Sequence, residues 1–430
     1  MSLPFILLLL IFVAAFVIRI PLAYAMISAG IVYLAASGED LGNAAQLMMS
    51  GYYSKFILIA VPLFIFGAQV MNDSTVTERI FSFADAVVGR LHGGLAQVNV
   101  INSVIISGMS GSAIADASGG GLMEIKSMTD AGYPRAFACA TTAATATIGP
   151  IIPPSIPMVI YAYLSGASIG MLFAGGFLPG LLLALMQMVL IRFIATRRGF
   201  PKGDWVGFPT LLGRFLGALP ALFAPVILLG GIYSGVFTPT EAAAVASLYA
   251  LLLAFVAYRA MSPSAFWSTL TLVVRQTAVV SLIIGGSLIV NYAVASEGLP
   301  RKAAEWLLTV SDNGLILLIV INLAFLVMGM FLDTMVMLLI MIPIVLPVLG
   351  PAGIDPVHFG VVITLNMMIG LSTPPFGVLL FVVSTMTKTP LADVIHEIWQ
   401  FLGIMIVTLV ILLLVPDIVL VVPRMLGYVG

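Results

Sequence analysis

The segments 148-IGPIIPP-154 and 369-IGLSTPP-375 each interrupt a long apolar stretch with a glycine and a Pro-Pro pair. Two further pairs of segments match at the same separation of 221 residues: 108-GMSGSA-113 with 329-GMFLDT-334, and Ala131-Gly132 with Ala352-Gly353. Proline lacks an N–H group and breaks a helix interior. The three matches predict the same order in each half: a Gly-containing helical hairpin, an Ala-Gly turn and a broken helix.

The composition indicates a membrane protein. Of the 430 residues, 61% are apolar and only 8% are charged, and the mean hydropathy is +1.19. A soluble domain carries about 25% charged residues, so the composition excludes a cytosolic enzyme or a nucleic-acid-binding protein. Since a spanning helix needs about 20 apolar residues, we expect roughly a dozen spans. Continuous apolar runs such as 403-GIMIVTLVILLLV-415 favour helices over alternating membrane strands.

Charge and cysteine content restrict the partners and the chemistry. The net charge is -1, which implies no polyanionic partner, and one cysteine excludes an intrachain disulfide or a metal–thiolate site. Residues 1–20 begin apolar without a basic region, which predicts a first helix rather than a cleaved signal. The basic stretch 197-RRGFPKGDW-205 predicts a cytoplasmic loop.

Interrupted helices at corresponding places in two halves indicate the binding site of a transporter. A broken helix exposes N–H and C=O groups, which are tolerated at membrane depth only where they line a cavity or bind a ligand. Unwound carbonyls favour cations such as Na⁺, whereas helix N-termini favour anions. The alternative is a pair of proline kinks packed against neighbouring helices.

Oxygen-bearing side chains cluster around these interruptions, beside glycines that let the backbone turn tightly. Such oxygens suit a hard cation, and a carboxylate within an apolar run is a functional candidate by default. The structural alternatives are close packing through small residues and, for Asp333, a salt bridge or an interfacial position. The candidates are Ser107, Ser110, Ser112 and Asp116 in the first hairpin, Thr145, Thr147, Ser155 and the carbonyls around Gly149 in the first broken helix, Asp333 and Thr334 in the second hairpin, and Asn366, Ser372 and Thr373 in the second broken helix.

An enzymatic interpretation also exists. The segment 108-GMSG-111 matches the Gly-x-Ser-Gly motif of rhomboid-type intramembrane serine proteases, in which Ser110 would be the nucleophile and a histidine such as His358 the base. A four-residue motif in a Gly-rich chain is weak evidence, and a protease would leave the repeat unexplained. We therefore expect no enzymatic activity and no catalytic residue.

The motifs together resemble the large membrane subunit of tripartite ATP-independent periplasmic (TRAP) transporters, the DctM-like family, over essentially the whole chain. They are Gly-x-Ser-Gly-Ser-Ala-x-Ala-Asp at 108–116, Asp-Ala-Gly-Tyr at 130–133, Ile-Gly-Pro-x-Ile-Pro-Pro-Ser at 148–155, Gly-x-Phe-Thr-Pro-Thr-Glu-Ala at 235–242, Gly-x-Phe-Leu-Asp at 329–333 and Ser-Thr-Pro-Pro-x-Gly at 372–377.

This resemblance implies a secondary transporter of the bacterial inner membrane, driven by Na⁺ as coupling ion and without an organic cofactor. It also implies a small four-helix membrane subunit (DctQ-like) as a separate chain and a periplasmic substrate-binding protein (DctP-like). The substrate would be an organic anion, such as a dicarboxylate, a sugar acid or sialic acid. A stand-alone Na⁺-coupled anion carrier of similar fold is the alternative.

We therefore expect an all-α polytopic membrane protein with inverted repeats, two re-entrant helical hairpins and an elevator mechanism. The expected divisions are scaffold helices at 1–84, a first transport repeat at 85–195 with a hairpin near 107–130 and a broken helix at 135–163, a cytoplasmic loop and scaffold helices at 196–309, a second transport repeat at 310–390 with a hairpin near 328–350 and a broken helix at 356–386, and a C-terminal helix at 391–430.

Two Na⁺ sites related by pseudosymmetry follow from this hypothesis, with no other metal. The first would pair Ser107, Ser110 and Ser112 with the break at Gly149, and the second would pair Gly329 and Asp333 with the break at Gly370, Ser372 and Thr373. The anion would lie between the hairpin tips, where Na⁺ neutralises its charge and backbone N–H groups bind its carboxylate. Its contacts would be Ser110, Pro154, Ser155, Thr373 and Pro374.

Overall fold

The computed structural model describes residues 2–54 and 56–430, and within these ranges the chain is helical without a β-strand. The first half contains α1 (Leu3–Val17), α2 (Leu22–Ala36), α3 (Gly42–Ser54), α4 (Ala60–Asn72), α5 (Val76–Val88), α6 (Gly94–Ser110), α7 (Ala113–Ser118), α8 (Gly120–Asp130), α9 (Arg135–Thr145), α10 (Ile156–Ser165) and α11 (Ile169–Arg198). The all-α expectation is confirmed.

The second half begins with two long helices joined by a short turn. Its helices are α12 (Phe208–Tyr233), α13 (Pro239–Leu252), α14 (Pro263–Ser296), α15 (Leu299–Val310), α16 (Gly314–Gly329), α17 (Thr334–Leu349), α18 (Pro356–Leu371), α19 (Val378–Thr387), α20 (Leu391–Leu414) and α21 (Asp417–Met425). Short 3₁₀ segments precede α4 and follow α9, and a π-helical segment, Leu253–Ala257, extends α13.

Only some of the described helices are long enough to span a membrane. Five of them are long and apolar enough to cross a bilayer: α11, α12, α13 with its π-helical extension, α14 and α20. The other apolar helices have 10 to 17 residues. A helix of 16 residues is about 24 Å long, which is less than the roughly 30 Å hydrocarbon core. These helices are therefore too short to cross alone, and they include both arms of the second predicted hairpin, α16 and α17.

The structure reproduces the internal repeat. Ala113 begins α7 and Thr334 begins α17, while Arg135 begins α9 and Pro356 begins α18, both at the predicted separation. The Pro153–Pro154 and Pro374–Pro375 peptide bonds, at matching positions, are both cis. Corresponding residues in the two halves therefore begin corresponding helices.

Local sequence determines where several of these helices begin. Thr238 and Glu241 form a reciprocal capping box at the start of α13, as the segment 237-FTPTE-241 predicts. Asp333 caps α17 and Asp355 caps α18, each by accepting backbone N–H groups of the first turn. The two aspartates satisfy donors that would otherwise remain unpaired.

The helix bounds can be compared with the expected divisions. The segments expected to be hairpins, near 107–130 and 328–350, each contain a break between helices, and the helices leading into these breaks begin at Gly94 and Gly314. The C-terminal region 391–430 holds two helices rather than one, since α20 ends at Leu414 and Pro416 precedes α21.

Four apolar cores hold the described helices together, and two of them position the broken helices and the N-terminal helices. The larger core centres on α9, α10, α11, α18 and α20, whose aromatic side chains are fully buried: Phe137, Tyr161, Phe173, Phe359 and Phe401. A second core joins α1, α2 and α14 around Phe5, Met26 and Ile289. The two broken helices thus belong to the larger core, whereas the N-terminal helices pack separately on α14.

Candidate ion- and substrate-binding site

The first tip, Gly111–Ser112, lies against the first break, 149–155. Gly111 has a left-handed φ of 59°, which glycine adopts without steric cost, and its carbonyl oxygen accepts the N–H of Ile156 at 3.4 Å. A Cβ added to Gly149 would lie 3.7 Å from the carbonyl carbon of Ser112. The structure therefore places Ser112 beside Gly149, two residues that the sequence assigns to one site.

The serine hydroxyls near the first tip differ in their hydrogen bonds. Ser107 donates to the carbonyl of Val104 at 2.6 Å, within its own helix. Ser155 caps α10, donating to the carbonyl of Pro150 and accepting the N–H of Met158 at 3.2 Å. Ser110 is buried, and its hydroxyl has no hydrogen-bond partner among the described residues. A buried polar group without a partner is uncommon, so Ser110 is the hydroxyl most available to a ligand.

The second tip, 330–333, lies beside the second break, 372–377. The residues just before them, Gly329 and Gly370, are in direct backbone contact. A Cβ added to Gly370 would lie 2.8 Å from the carbonyl oxygen of Gly329, closer than real Cβ atoms approach. At the other end of the second tip, the Asp333 carboxylate accepts the N–H of Met335 at 2.9 Å. Because only glycine lets two backbones approach this closely, Gly329 and Gly370 allow the two segments to meet.

The two breaks are themselves close together. Ser372 is fully buried and donates to the carbonyl of Ala143 in α9 at 3.4 Å, which links the second break to the helix preceding the first. Thr373 donates to the carbonyl of Ile369 at 2.6 Å and is largely buried, whereas Pro374 is half-buried. The predicted residues of the second break thus lie beside the first repeat.

Helix ends converge at each tip and break. In the first repeat α6 ends at Ser110 and the 3₁₀ segment after α9 ends at Ile148, just before Gly149, and in the second α16 ends at Gly329 and α18 at Leu371. The last turn of a helix has unpaired carbonyls and partial negative charge, which attract cations. The N-termini of α10, α17 and α19 lie at the same places and attract anions. The arrangement can hold a cation in each repeat and an anion beside them.

Comparison with known sequences then decides the family. The sequence profile of the DctM component of the tripartite ATP-independent periplasmic transporters matches residues 9–418. The chain belongs to this family. Members are integral inner-membrane proteins, and the apolar helices agree, so this DctM chain is a multi-pass protein of the bacterial inner membrane.

Individual relatives extend this result. The chain is 43% identical to the sialic acid TRAP transporter large permease protein SiaM of Vibrio cholerae, covering 95% of this chain and 96% of the relative. It is 37% identical to the C4-dicarboxylate TRAP transporter large permease protein DctM of Pseudomonas aeruginosa, covering 86% and 87%. The Alcanivorax borkumensis YdaH transporter has a similar fold, with a TM-score of 0.62 at 15% identity over 86% of this chain and 87% of that one.

The chain also contains two buried asparagines, Asn99 and Asn322, that the sequence analysis did not single out. Asn99 in α6 donates to Thr142 at 2.7 Å and accepts the hydroxyl of Thr145. In the second repeat, Asn366 donates to the carbonyl and amide oxygens of Asn322 in α16, at 2.7 and 2.9 Å. Both sets of bonds join the helix leading into a tip to the helix before a break. Asn322 is a lone amide in the apolar run 314–329, a signal that identifies such residues, whereas Asn99 shares α6 with two other amides.

A buried acidic cluster lies behind the first tip. Asp116 and Glu124 are almost fully buried, and Glu124 accepts a hydrogen bond from Asn102. One carboxylate oxygen of Asp116 and the amide oxygen of Asn102 have no partner among the described residues. Asp116 therefore keeps free ligand capacity next to the first hairpin.

The structure does not assemble the serine protease pair. His358, the candidate base, is buried in the first turn of α18 because α20 covers it, and its Nε2 lies 2.9 Å from the carbonyl oxygen of Leu412. The Ser110 hydroxyl has no partner among the described side chains, so no base is positioned to activate it. The relatives are named as transporter permeases, in agreement with a non-enzymatic role.

Proposed function

We propose that this chain is the large membrane subunit of a Na⁺-driven TRAP transporter that imports an organic anion. The observation that carries the proposal is the convergence, once in each repeat, of two helix C-termini at a glycine contact, where carbonyl groups of both helices favour a cation. In this proposal a periplasmic binding protein delivers the anion and a small membrane subunit supports the large one. The relatives' names refer to sialic acid and C4-dicarboxylate, and both are organic anions.

Two Na⁺ sites form part of the proposal. The first comprises Ser107, Ser110 and Ser112 together with the backbone at Gly149, and the hydroxyl of Ser110 supplies the free oxygen. In the second, the carboxylate of Asp333 and the carbonyls around Gly329 and Gly370 supply oxygen ligands. Ser372 and Thr373 are the other proposed ligands of this site. Asp333 and Ser112 occupy the same position in the two repeats, and each caps the helix that follows.

The anion is proposed to lie between the two tips. Its carboxylate would meet the N-termini of α10 and α19, whose first N–H groups and positive dipole ends bind anions. The bound Na⁺ ions would offset its negative charge. The proposed contacts are Ser110, Pro154, Ser155, Thr373 and Pro374.

An elevator motion would carry this site across the membrane. We assign 85–195 and 310–390 to a transport domain, with re-entrant hairpins at the two tips, and the remaining helices to a scaffold. The bond between Ser372 and the carbonyl of Ala143, and the shared apolar core, support movement of the two repeats as one body. Since the membrane potential opposes an entering anion by about 2.3 kcal/mol per charge per 100 mV, more Na⁺ charges than anion charges must enter.

Removal of Na⁺ is expected to destabilise the purified chain. Because Na⁺ would bind the folded state and not the unfolded one, Na⁺ at 100 times its Kd would stabilise the fold by about 2.7 kcal/mol. The measurement is the unfolding temperature in detergent with NaCl, KCl or choline chloride at equal ionic strength. Equal unfolding temperatures in the three salts would contradict the proposed ion sites.

Serine variants make this test specific. Ser110→Ala is expected to reduce the Na⁺-dependent rise in unfolding temperature, because it removes the free hydroxyl at the first tip. Ser127→Ala is a matched control, since the Ser127 hydroxyl donates to the carbonyl of Met123 within α8. The control should keep the full response to Na⁺.

A further inference from the structure

Glu124 in α8 is an acid that the fold buries without a counter-ion. It is 2% exposed and accepts a hydrogen bond from the amide nitrogen of Asn102 in α6. Asp116 in α7 is 3% exposed and lies close enough for the two carboxylates to repel each other. Neither acid forms an ion pair with any residue that the structure describes. Because burial of an unpaired charge is strongly unfavourable, this pair requires a ligand that removes charge.

The side chain of Asn102 indicates which ligand this is. Asn102 is fully buried, and while its Nδ2 bonds to Glu124, its Oδ1 has no hydrogen-bond partner among the described residues. Both atoms belong to one planar amide, so Oδ1 also lies beside the carboxyl group. An ionised carboxylate only accepts hydrogen bonds, whereas a carboxylic acid has one O–H donor. A protonated Glu124 can therefore accept the N–H of Asn102 on one oxygen and donate to Oδ1 from the other.

Tight packing around the acids favours a proton over a metal ion. A Cβ added to Gly120 would lie 3.0 Å from Cγ2 of Thr77 in α5 and 3.6 Å from Nδ2 of Asn102. A Cβ added to Gly121 would lie 2.7 Å from Cγ2 of Thr142 in α9. A metal ion needs several oxygen ligands around it, and contacts this close leave little room for them. A proton needs no such space.

The described elements packed around Glu124 bring no cation to it. α4, α6 and α19 contain no charged residue, and Cys139 of α9 contacts α19 instead. Asp85 of α5 is paired with an arginine of α12. The other charged residues of α5, α8 and α9 are exposed: Glu78, Arg79, Lys126, Asp130 and Arg135. Asp116 is therefore the titratable group that faces Glu124.

The second repeat shows that a hairpin of this kind folds without these acids. At the separation of 221 residues, Asp116 corresponds to Met337 and Glu124 to Val345, both in α17. Met337 and Val345 are buried, so the second hairpin packs apolar side chains at both positions. The two acids of the first repeat are therefore an addition to the common fold, which indicates a role in binding.

We propose that Glu124 binds a proton and remains a neutral carboxylic acid in the folded chain, hydrogen-bonded to Asn102 and beside Asp116. The inference goes beyond the proposed function, since neither acid belongs to the proposed Na⁺ sites. At alkaline pH the proton would leave, and two adjacent charges would repel each other in a low-dielectric interior. The segment α7–α8 would then pack less well on α6. Na⁺-driven uptake should therefore require the protonated state.

The infrared spectrum of the purified chain tests the protonation of Glu124 directly. A protonated carboxyl group has a C=O stretching band that is distinct from the bands of a carboxylate and that shifts in D₂O. Near neutral pH and in NaCl, we expect this band in the unmodified chain and its loss in Glu124→Gln. The matched control is Glu305→Gln, which should keep the band, because Glu305 is an exposed glutamate of α15.

Asn102→Leu tests the pairing without changing the acid, and it applies even where Glu124→Gln fails to fold. The substitution removes the N–H that the Glu124 carboxyl accepts. The C=O band should therefore move to a higher frequency. A band at an unchanged frequency would show that the acid is not paired with Asn102 and would overturn the assignment.

Uptake should depend on pH through the same group. The assay measures labelled N-acetylneuraminate or succinate in proteoliposomes containing the chain, its small membrane subunit and the binding protein, at a fixed inward Na⁺ gradient. Uptake by the unmodified chain should approach a tenfold fall for each unit of pH above the titration of Glu124. Glu124→Gln should keep its uptake, because glutamine is neutral and its amide can donate to Asn102. The ratio of the two rates cancels any pH dependence of the binding protein.

The outcomes separate this inference from the proposed function. Absence of the protonated band would overturn the inference, and so would parallel pH profiles of uptake for the two chains. A band that forms only when Na⁺ is removed would assign the site to a metal ion and overturn the inference as well. All three results would leave the proposed function intact. The expected band in a chain without Na⁺-driven uptake would instead contradict the proposed function and leave the proton site in place.

Discussion

Gly370→Ala is expected to abolish Na⁺-driven uptake. The added Cβ would lie 2.8 Å from the carbonyl oxygen of Gly329, a backbone atom that no side-chain rotation can move aside. The contact between α16 and α18 must therefore open, and the carbonyl groups proposed to bind the second Na⁺ would separate. We expect uptake in proteoliposomes to fall at least a hundredfold, since a displacement of about 1 Å in a binding site can have an effect of this size.

Gly230→Ala is the control for this substitution. Gly230 also lies within a helix, α12, but a Cβ there would have no other atom within 4 Å. Alanine is the better helix former, so this variant should be at least as stable as the unmodified chain. Full uptake by Gly370→Ala, in protein inserted at normal levels, would show that the close contact between the two glycines is not required.

Asp333→Ala is expected to abolish Na⁺-dependent uptake. The uptake rate should fall about as much as in Gly370→Ala. Asp333 supplies the carboxylate at the second tip and also caps α17 by accepting the N–H of Met335 at 2.9 Å. Alanine removes both interactions, and loss of the cap alone costs about 1 kcal/mol of stability. The measurement is the dependence of the uptake rate on Na⁺ concentration.

Two further variants separate the ion ligand from the helix cap. Asp333→Asn keeps an oxygen that can cap α17 but removes the negative charge, so it should fold normally and still lose Na⁺-driven uptake. Asp355→Ala removes a cap of the same kind from α18, where Asp355 accepts the N–H groups of Val357 and His358. This second variant should keep its Na⁺ dependence. A normal Na⁺ response in Asp333→Asn would exclude Asp333 as a charged ligand.

The repeat and the helix breaks could be predicted because they depend on local chemistry. Glycine and Pro-Pro pairs interrupt helices wherever they occur, and their recurrence at one separation predicted that Ala113 and Thr334 occupy equivalent places. The starts of α7 and α17 confirm this. The capping box at Thr238 and Glu241 was predictable for the same reason, since both partners lie within one turn.

The features that escaped prediction depend on contacts between distant parts of the chain. Asn322 is the single amide of α16, and Asn99 is one of three amides in α6; their hydrogen bonds form only when α16 packs on α18 and α6 packs on α9. Arg19 is more than 300 residues from Asp333, and no local pattern indicates that both line one cavity. The helices leading into the two tips extend to Ser110 and Gly329, since the glycines near each tip end a helix without preventing it from forming.

The central claim is that this chain moves an organic anion with Na⁺ and depends on a periplasmic binding protein. Its most direct test is uptake of labelled N-acetylneuraminate or succinate by proteoliposomes that contain the chain and its small membrane subunit, with and without the binding protein. We predict uptake only when an inward Na⁺ gradient and the binding protein are both present. Uptake driven by Na⁺ without that protein would identify a stand-alone carrier, and uptake that is indifferent to Na⁺ would contradict the account.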